Sequence, residues 1–232
     1  KHDLSKGANV NTRVLIVDDS ATMRAILTRL LGSEPDIDVI GAAKDAMEAR
    51  GMIRELNPDV VTLDIEMPGM NGLDFLEKIM SLRPMPVVVV SGITRKGADT
   101  TIRALELGAV DCYAKPDGSV NALLENDGGT LAQMVRDAAR VRFVRVQTKP
   151  TVPVSPVAQQ TIVASRSGPS VTKLIAIGAS TGGVEALHNL LPAFPKTCPP
   201  TLIVQHISAA FAPAMAERLD KQCQATVKLL ES

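Results

Sequence analysis

Apolar and polar positions follow one repeated scheme along the first part of the chain. Short β-branched runs, Val14–Val17, Val39–Ala42, Val60–Leu63, Val87–Val90 and Val110–Ala114, are almost wholly apolar. Strands covered on both faces of a parallel sheet have that composition, because neither side meets water. Between these runs apolar residues recur three and four apart. Met23, Ile26, Leu27, Leu30 and Leu31 form one stripe, and Ala46, Ala49, Ile53 and Leu56 a second. Gly72, Leu73, Leu76, Ile79 and Met80 form a third, Ile102 and Leu105 serve a fourth, and Leu131, Met134, Val135 and Ala138 a fifth. That spacing puts one apolar face on each helix. Pro58, Pro84 and Pro86 stop helices ahead of the next strand. The scheme predicts an α/β domain with a five-stranded, doubly wound parallel sheet over residues 12–142, after a tail at 1–11.

The character changes after that. Pro150, Pro153, Pro156 and Pro169 punctuate a stretch without acidic residues or sustained periodicity, and residues 143–170 read as a semi-extended linker. A second α/β pattern opens with a strand at Lys173–Ile177 and a helix stripe of Val184, Leu187 and Leu191. Thr201–Leu202–Ile203–Val204 is the next strand, and Phe211, Ala214, Met215 and Leu219 mark a further helix. Thr226–Leu230 is expected to open a third strand. Residues 171–232 therefore read as the leading part of a second parallel-sheet domain, with too few strands to close a sheet–helix sandwich alone.

Composition narrows the function classes. The 232 residues suit one complete domain and part of another, and 45% apolar content is enough for a buried core. Lys and Arg total 25, as do Asp and Glu, so no global charge favours a nucleic-acid or polybasic membrane binder. Aromatics are 2% with no Trp, which argues against base-stacking platforms and cation cages. Runs such as Val87–Val90 are far too short to span a bilayer. The opening Lys1–Gly7 has neither an initiator Met nor a secretory apolar core and reads as a trimmed beginning. Cys112, Cys198 and Cys223 form no C-x-x-C pair, so reduced, mostly buried thiols and a cytoplasmic setting are expected.

Ligands of open parallel sheets bind beyond the carboxyl ends of the strands. Here Asp18 and Asp19 follow the first strand, Asp64 the third, Ser91 the fourth and Lys115–Pro116 the fifth. Two carboxylates about 4 Å apart repel by about 4 kcal/mol at an effective dielectric of 20. A divalent cation removes that cost, and Mg²⁺ commonly bridges one or two carboxylates to phosphate oxygens. Lys115 adds a point charge for a phosphoryl group and Ser91 a hydroxyl donor.

Leu15–Ser20, Leu63–Gly72, Val90–Ser91–Gly92 and Lys115–Pro116 together resemble the receiver domain of bacterial response regulators, a flavodoxin-like fold. The resemblance implies that Asp64 accepts a phosphoryl group from a histidine kinase. It also implies that Asp18, Asp19, Asp64 and the backbone carbonyl of Glu66 hold Mg²⁺, while Ser91 and Lys115 sense the new charge. Receivers often carry an aromatic switch three residues before the lysine. That position is Cys112, with Tyr113 beside it, which leaves the switch either muted or moved to Tyr113.

Gly178-Ala179-Ser180-Thr181-Gly182-Gly183 follows a strand and opens a helix, and it contains G-x-S-x-G. Three readings are open: a nucleophile elbow, a phosphate cradle, and a serine that only caps the helix. Neither a full G-x-G-x-x-G nor a P-loop Gly-Lys-Ser is present, which weakens the cradle. His206 follows the next strand, so the two strand ends bring a hydroxyl and an imidazole to one rim, as a nucleophile and general base require. His188, inside a predicted helix near Glu185, reads as solvated.

Receiver, linker, Gly-Ala-Ser-Thr-Gly-Gly and Gln-His together resemble the chemotaxis response-regulator protein-glutamate methylesterases, across essentially the whole chain. The resemblance implies that the second domain is an incomplete Rossmann-like hydrolase domain. Ser180 would attack glutamate methyl esters, with glutamine deamidation as a second activity. His206 would take the proton and Thr181 support the nucleophile. It implies a chemotaxis histidine kinase and methylated chemoreceptors as partners, without nucleic acid or direct membrane insertion. In that family the triad aspartate comes from a later strand end; Asp220 lies in a helix stripe and is no substitute, so these 232 residues alone are expected to lack esterase activity. The alternative is a response regulator with a DNA-binding or partner-binding output, suggested by Arg136, Arg140, Arg142 and Arg145. Against it, the region after the linker reads as strand, glycine turn and helix, not helix-turn-helix.

Overall fold

A computed structural model describes residues 11–67, 71–92, 94–115, 127–142 and 173–230. The tail except Asn11, the linker and Pro116 lie outside those residues. The five apolar runs form β1 (Thr12–Val17), β2 (Ile37–Ala43), β3 (Val60–Asp64), β4 (Val87–Gly92) and β5 (Asp111–Lys115), all parallel, in the order β2-β1-β3-β4-β5. Helices α1 (Ala21–Gly32), α2 (Ala46–Leu56), α3 (Gly72–Leu82), α4 (Arg95–Glu106) and α5 (Thr130–Ala139) connect or follow them. The first four begin at side-chain caps: Ser20, Asp45, Asn71 and Thr94 each accept a first-turn N–H. Such caps contribute about 1 kcal/mol each.

Alternation along the strands divides the core in two. Leu15, Val17, Val61, Leu63, Val87 and Val89 pack with α2, α3 and α4. Val14, Ile16, Val60, Val88 and Val90 pack with α1 and α5. This is the doubly wound sheet that the periodicity predicts, in the flavodoxin-like form that the receiver resemblance implies. Gly72 lets α3 start hard against the end of β3: a Cβ there would lie 2.5 Å from Ile65 Cα and 2.6 Å from the Asp64 carbonyl oxygen.

The second region contains β6 (Ile175–Ala179), α6 (Gly183–Leu190), a 3-10 turn at Leu191–Ala193, β7 (Thr201–Gln205) and α7 (Ala212–Gln222), with β6 and β7 parallel. β6 starts two residues later than the apolar pattern suggests. Thr226–Leu230 is not a strand. Among the described residues β7 pairs only with β6, and the Val227 N–H is given to the Asp220 carboxylate at 2.7 Å. No helix among the described residues is long and apolar enough to cross a membrane. The cysteines are free, Cys112 buried but Cys198 and Cys223 only half-buried, less than expected.

The two regions share a core. Val184, Leu187, Leu191, Phe211, Met215 and Leu219 join the same apolar cluster as Ala98, Ile102 and Leu105 of α4 and Cys112 of β5. At its edge, Glu106 at the end of α4 accepts hydrogen bonds from the Arg218 guanidinium and, at 3.3 Å, from Gln222 Nε2. His188 Nδ1 lies 3.1 Å from the same carboxylate and 2.8 Å from Gln222 Oε1. Two acceptors facing Nδ1 fix its proton there. His188 is thus buried at the contact, its side chain 6% exposed, and not solvated. Judging it by its own helix overlooked α4 and α7, which cover it.

Burial alone would raise the Glu106 pKa, but the Arg218 hydrogen bond, the His188 and Arg218 charges and Gln222 hold it below the ordinary 4.5. A depressed carboxylate stabilises above its unfolded pKa, and that contribution disappears as pH falls through the folded value. Thermal unfolding followed from about pH 6 to about pH 3 is expected to lose less stability in Glu106→Gln than in the wild type. Parallel curves would contradict this role. Gly72→Ala is expected to destabilise the first domain by about 1–3 kcal/mol in urea unfolding, because the atoms it meets are backbone; an unchanged midpoint would contradict the close approach.

Candidate functional site

Parallel pairing of β1, β3, β4 and β5 brings their carboxyl ends to one rim. Ligand atoms of Asp18, Asp19 and Asp64 lie within 4.8 Å of one another there. Asp18 is fully buried, Asp64 nearly so and Asp19 exposed. Lys115 Nζ sits 3.0 Å from Asp18 Oδ2 and 2.6 Å from Asp64 Oδ2. The other oxygens are held by backbone: Asp18 Oδ1 accepts from the Ser20 N–H and Asp64 Oδ1 from the Glu66 N–H, both at 2.9 Å.

Burial drives the Asp18 pKa upward, Lys115 opposes that, and the Asp64 charge adds to it. Burial works to lower the Lys115 pKa, but the two carboxylates outweigh it and the net shift is upward. Lys115 and the Arg24 guanidinium, which donates to the Asp18 and Asp19 carbonyls at 2.9 Å, are two positive charges against three carboxylates, and the rim stays negative. An all-oxygen donor set of that charge suits a hard divalent cation. The Glu66 carboxylate is not in this cluster; it lies near Gly92 and Gly97 at the entrance to α4. Ser91 is fully buried, its hydroxyl 3.5 Å from the Gly92 carbonyl, too long for a strong hydrogen bond.

Cys112 and Tyr113 point to opposite faces of the sheet. Cys112 joins the cluster shared with α4, α6 and α7. Tyr113 packs on the α1 and α5 side, where burial first, and then the Asp127 carboxylate that its hydroxyl bonds, push its pKa far up. Tyr113 therefore faces away from α4.

At the second site, Ala179 and Gln205 are paired across β6 and β7, so the residues that follow them are neighbours. The His206 N–H donates to the Ala179 carbonyl at 2.8 Å, and Ser180 Oγ lies 3.4 Å from His206 Nδ1. For the hydroxyl to donate there, the ring proton must be on Nε2. The cap of α6 is Gly182, in the left-handed region at φ 74°, so Ser180 is not the N-cap residue. The Gly182 N–H is given to the Val110 carbonyl of the first domain at 3.1 Å, so it is not free to cradle an anion.

Asp111, the first residue of β5, lies against Thr181 and His206. Burial raises its pKa, with Asp137 adding to the rise, while the Cys112 N–H, His206 and Thr181 oppose it. The three residues line a cleft of about 570 Å³ with Gln133, Arg136 and Asp137 of α5. Sequence reasoning missed Val110 and Asp111 because it attended to the carboxyl ends of strands, and β5 meets the elbow by its amino end. It also missed Glu106, Arg218 and Gln205. Gln205 did leave a trace, as a polar residue ending an apolar strand beside His206.

Two of the four arginines have acidic partners, and Arg142 is exposed. Arg136 forks onto Asp36 at 2.8 Å through two nitrogens and also reaches Glu34, and Arg140 bonds Asp137. Arg145 lies outside the described residues. Among the described residues of the second region, strands and helices alternate and no helix-turn-helix is present.

Residues 14–125 match the family model of the response regulator receiver domain, and residues 175–232 that of the CheB methylesterase. The chain is 52% identical over 217 residues to protein-glutamate methylesterase/protein-glutamine glutaminase 1 of Rhizobium johnstonii, spanning 93% of this chain and 59% of the relative. It is 52% identical over 219 residues to the protein of the same name from Caulobacter vibrioides, spanning 93% and 60%. The chain thus covers somewhat under two thirds of the length of the curated relatives it matches. A crystal structure of the response regulator domain of Thermotoga maritima CheB is 45% identical, covers 57% of this chain and 99% of that one, and superposes with a TM-score of 0.52. With a receiver sheet, a docked serine elbow and these matches in both regions, the chain belongs to the CheB family of response-regulator methylesterases.

Proposed function

We propose that this chain is the regulatory domain and the nucleophile-bearing part of a chemotaxis protein-glutamate methylesterase and glutaminase. The observation that carries the reading is Ser180 Oγ held 3.4 Å from His206 Nδ1 at adjacent strand ends. Ser180 attacks the ester carbonyl of a methylated glutamate while His206 takes its proton and returns it to the departing methanol. Water then hydrolyses the acyl-enzyme by the reverse proton path. A glutamine side chain reacts alike and releases ammonia. No acid among the described residues hydrogen-bonds the His206 ring, so the orienting group expected of the family is to come from elsewhere in the whole protein.

In this reading Asp64 is the phosphoryl acceptor, supplied by a chemotaxis histidine kinase. Asp18, Asp19 and Asp64, with the Glu66 carbonyl, would hold Mg²⁺, which would supply the positive charge that Lys115 and Arg24 leave wanting. Lys115 and Ser91 then turn towards the phosphoryl oxygens. Asp111 and Lys115 lie at opposite ends of β5, about 13 Å apart at strand rise, so the phosphoryl group does not touch the elbow. Its effect passes through α4 and β5, whose far ends hold Gly182, Thr181 and Arg218. Methylated chemoreceptors in the cytoplasm are the partners that follow from this reading.

In the full-length protein, Ser180→Ala is expected to lower methanol release from methylated receptors at least about a thousandfold. Asp64→Asn is expected to keep basal release but lose its stimulation by acetyl phosphate, as should chelation of Mg²⁺ in the wild type. Substantial turnover by Ser180→Ala, or stimulation surviving Asp64→Asn, would contradict the assignment.

A further inference from the structure

Gln205 ends β7 with its side chain turned under the Ser180 loop. Its Nε2 donates to the Ser180 carbonyl at 2.9 Å and to the His206 carbonyl at 3.0 Å. One amide thereby ties the backbone of the nucleophile to that of the base. Its orientation follows from chemistry: both partners are carbonyl oxygens, and a flipped amide would set oxygen against oxygen. Oε1 is buried without a partner, which is costly, so the side chain is held by what its other end does.

Gly183 makes room for it. A Cβ at Gly183 would lie 2.2 Å from Gln205 Oε1 and 2.7 Å from Ala179 Cβ. Apart from the Ser180 Oγ–His206 Nδ1 contact itself, the other bond joining the two loops among the described residues, His206 N–H to the Ala179 carbonyl, runs from backbone to backbone. Gln205 supplies a tie that depends on a side chain.

We infer that Gln205 is a positioning residue for ester hydrolysis, holding Ser180 Oγ within reach of His206 Nδ1, and that Gly183 is required to admit it. The inference rests on reading Ser180 and His206 as nucleophile and base. Gln205 bonds the backbone of Ser180 and of His206, so its loss is expected to act on attack by Ser180 more than on substrate binding. The 3.4 Å separation has little slack before the hydroxyl leaves hydrogen-bonding range.

The test uses the full-length protein with Gln205→Met, which keeps the chain length and removes the donor, and Gln205→Glu, which sets a carboxylate against two carbonyls. The readouts are kcat and KM on methylated receptors and the rate of fluorophosphonate labelling at Ser180, scaled to the folded fraction by circular dichroism. Gln205→Met is expected to lower kcat and labelling about 10- to 100-fold with KM within about twofold, and Gln205→Glu to lower them further. Wild-type protein that fails to label at Ser180 overturns the nucleophile assignment itself. Labelling at the wild-type rate in Gln205→Met overturns only the role of Gln205. So does a loss that merely follows the folded fraction, or one confined to KM.

Discussion

The hydrogen bond from the Gly182 N–H to the Val110 carbonyl is the constraint on which the arrangement depends. It spends an amide of the serine elbow on the receiver, and it places Asp111 against Thr181 and His206. A single amide–carbonyl bond contributes only about 1 kcal/mol. Its effect comes from the apolar contact behind it, where Phe211, Leu187 and Leu191 share a core with Ile102 and Leu105. Truncating one fully buried side chain of that kind costs about 2–5 kcal/mol. The Glu106, Arg218, His188 and Gln222 network then sets the direction of α4 against α6 and α7. A group of this kind favours one docked geometry over its neighbours more than it adds stability.

The carboxylate rim is a second constraint, at the opposite end of β5. Lys115 balances part of the charge of Asp18 and Asp64 and leaves a residual that favours a cation. Under the proposed function, a phosphoryl group at Asp64 recruits Lys115 and Ser91, and the resulting movement of α4 and β5 weakens docking. A change of a few kcal/mol is enough to shift such a two-state population. Cys112 lies on the α4 face of β5 and Tyr113 on the other, so any rearrangement of α4 reaches Cys112 first. A small thiol there leaves less for a rotamer change to move than an aromatic ring would.

Much of this was legible in the chain. Apolar runs with β-branched residues and stripes at helical spacing marked the five-stranded sheet, because burial on both faces leaves a strong pattern. Asp18, Asp64, Ser91 and Lys115 stood out because strand ends are where such a sheet binds ligands. Ser180 and His206 were found by the same logic. What could not be read was the contact between the regions. His188 looked solvated because its own helix shows nothing of α4, and Glu106, Arg218 and Asp111 carry no local signal of a partner distant in sequence. Thr226–Leu230 has strand-like residues, but a strand needs a neighbour to accept its hydrogen bonds, and Val227 found Asp220 instead.

Amide hydrogen exchange of the full-length protein, with and without beryllofluoride and Mg²⁺, tests the central claim most directly. The Gly182 amide is protected by the Val110 carbonyl only while the receiver is docked. If phosphorylation at Asp64 loosens that contact, beryllofluoride should speed exchange at Gly182 and along α6 in the wild type and leave Asp64→Asn unchanged. Exchange at Gly182 that is unaltered or slowed by beryllofluoride would contradict the account.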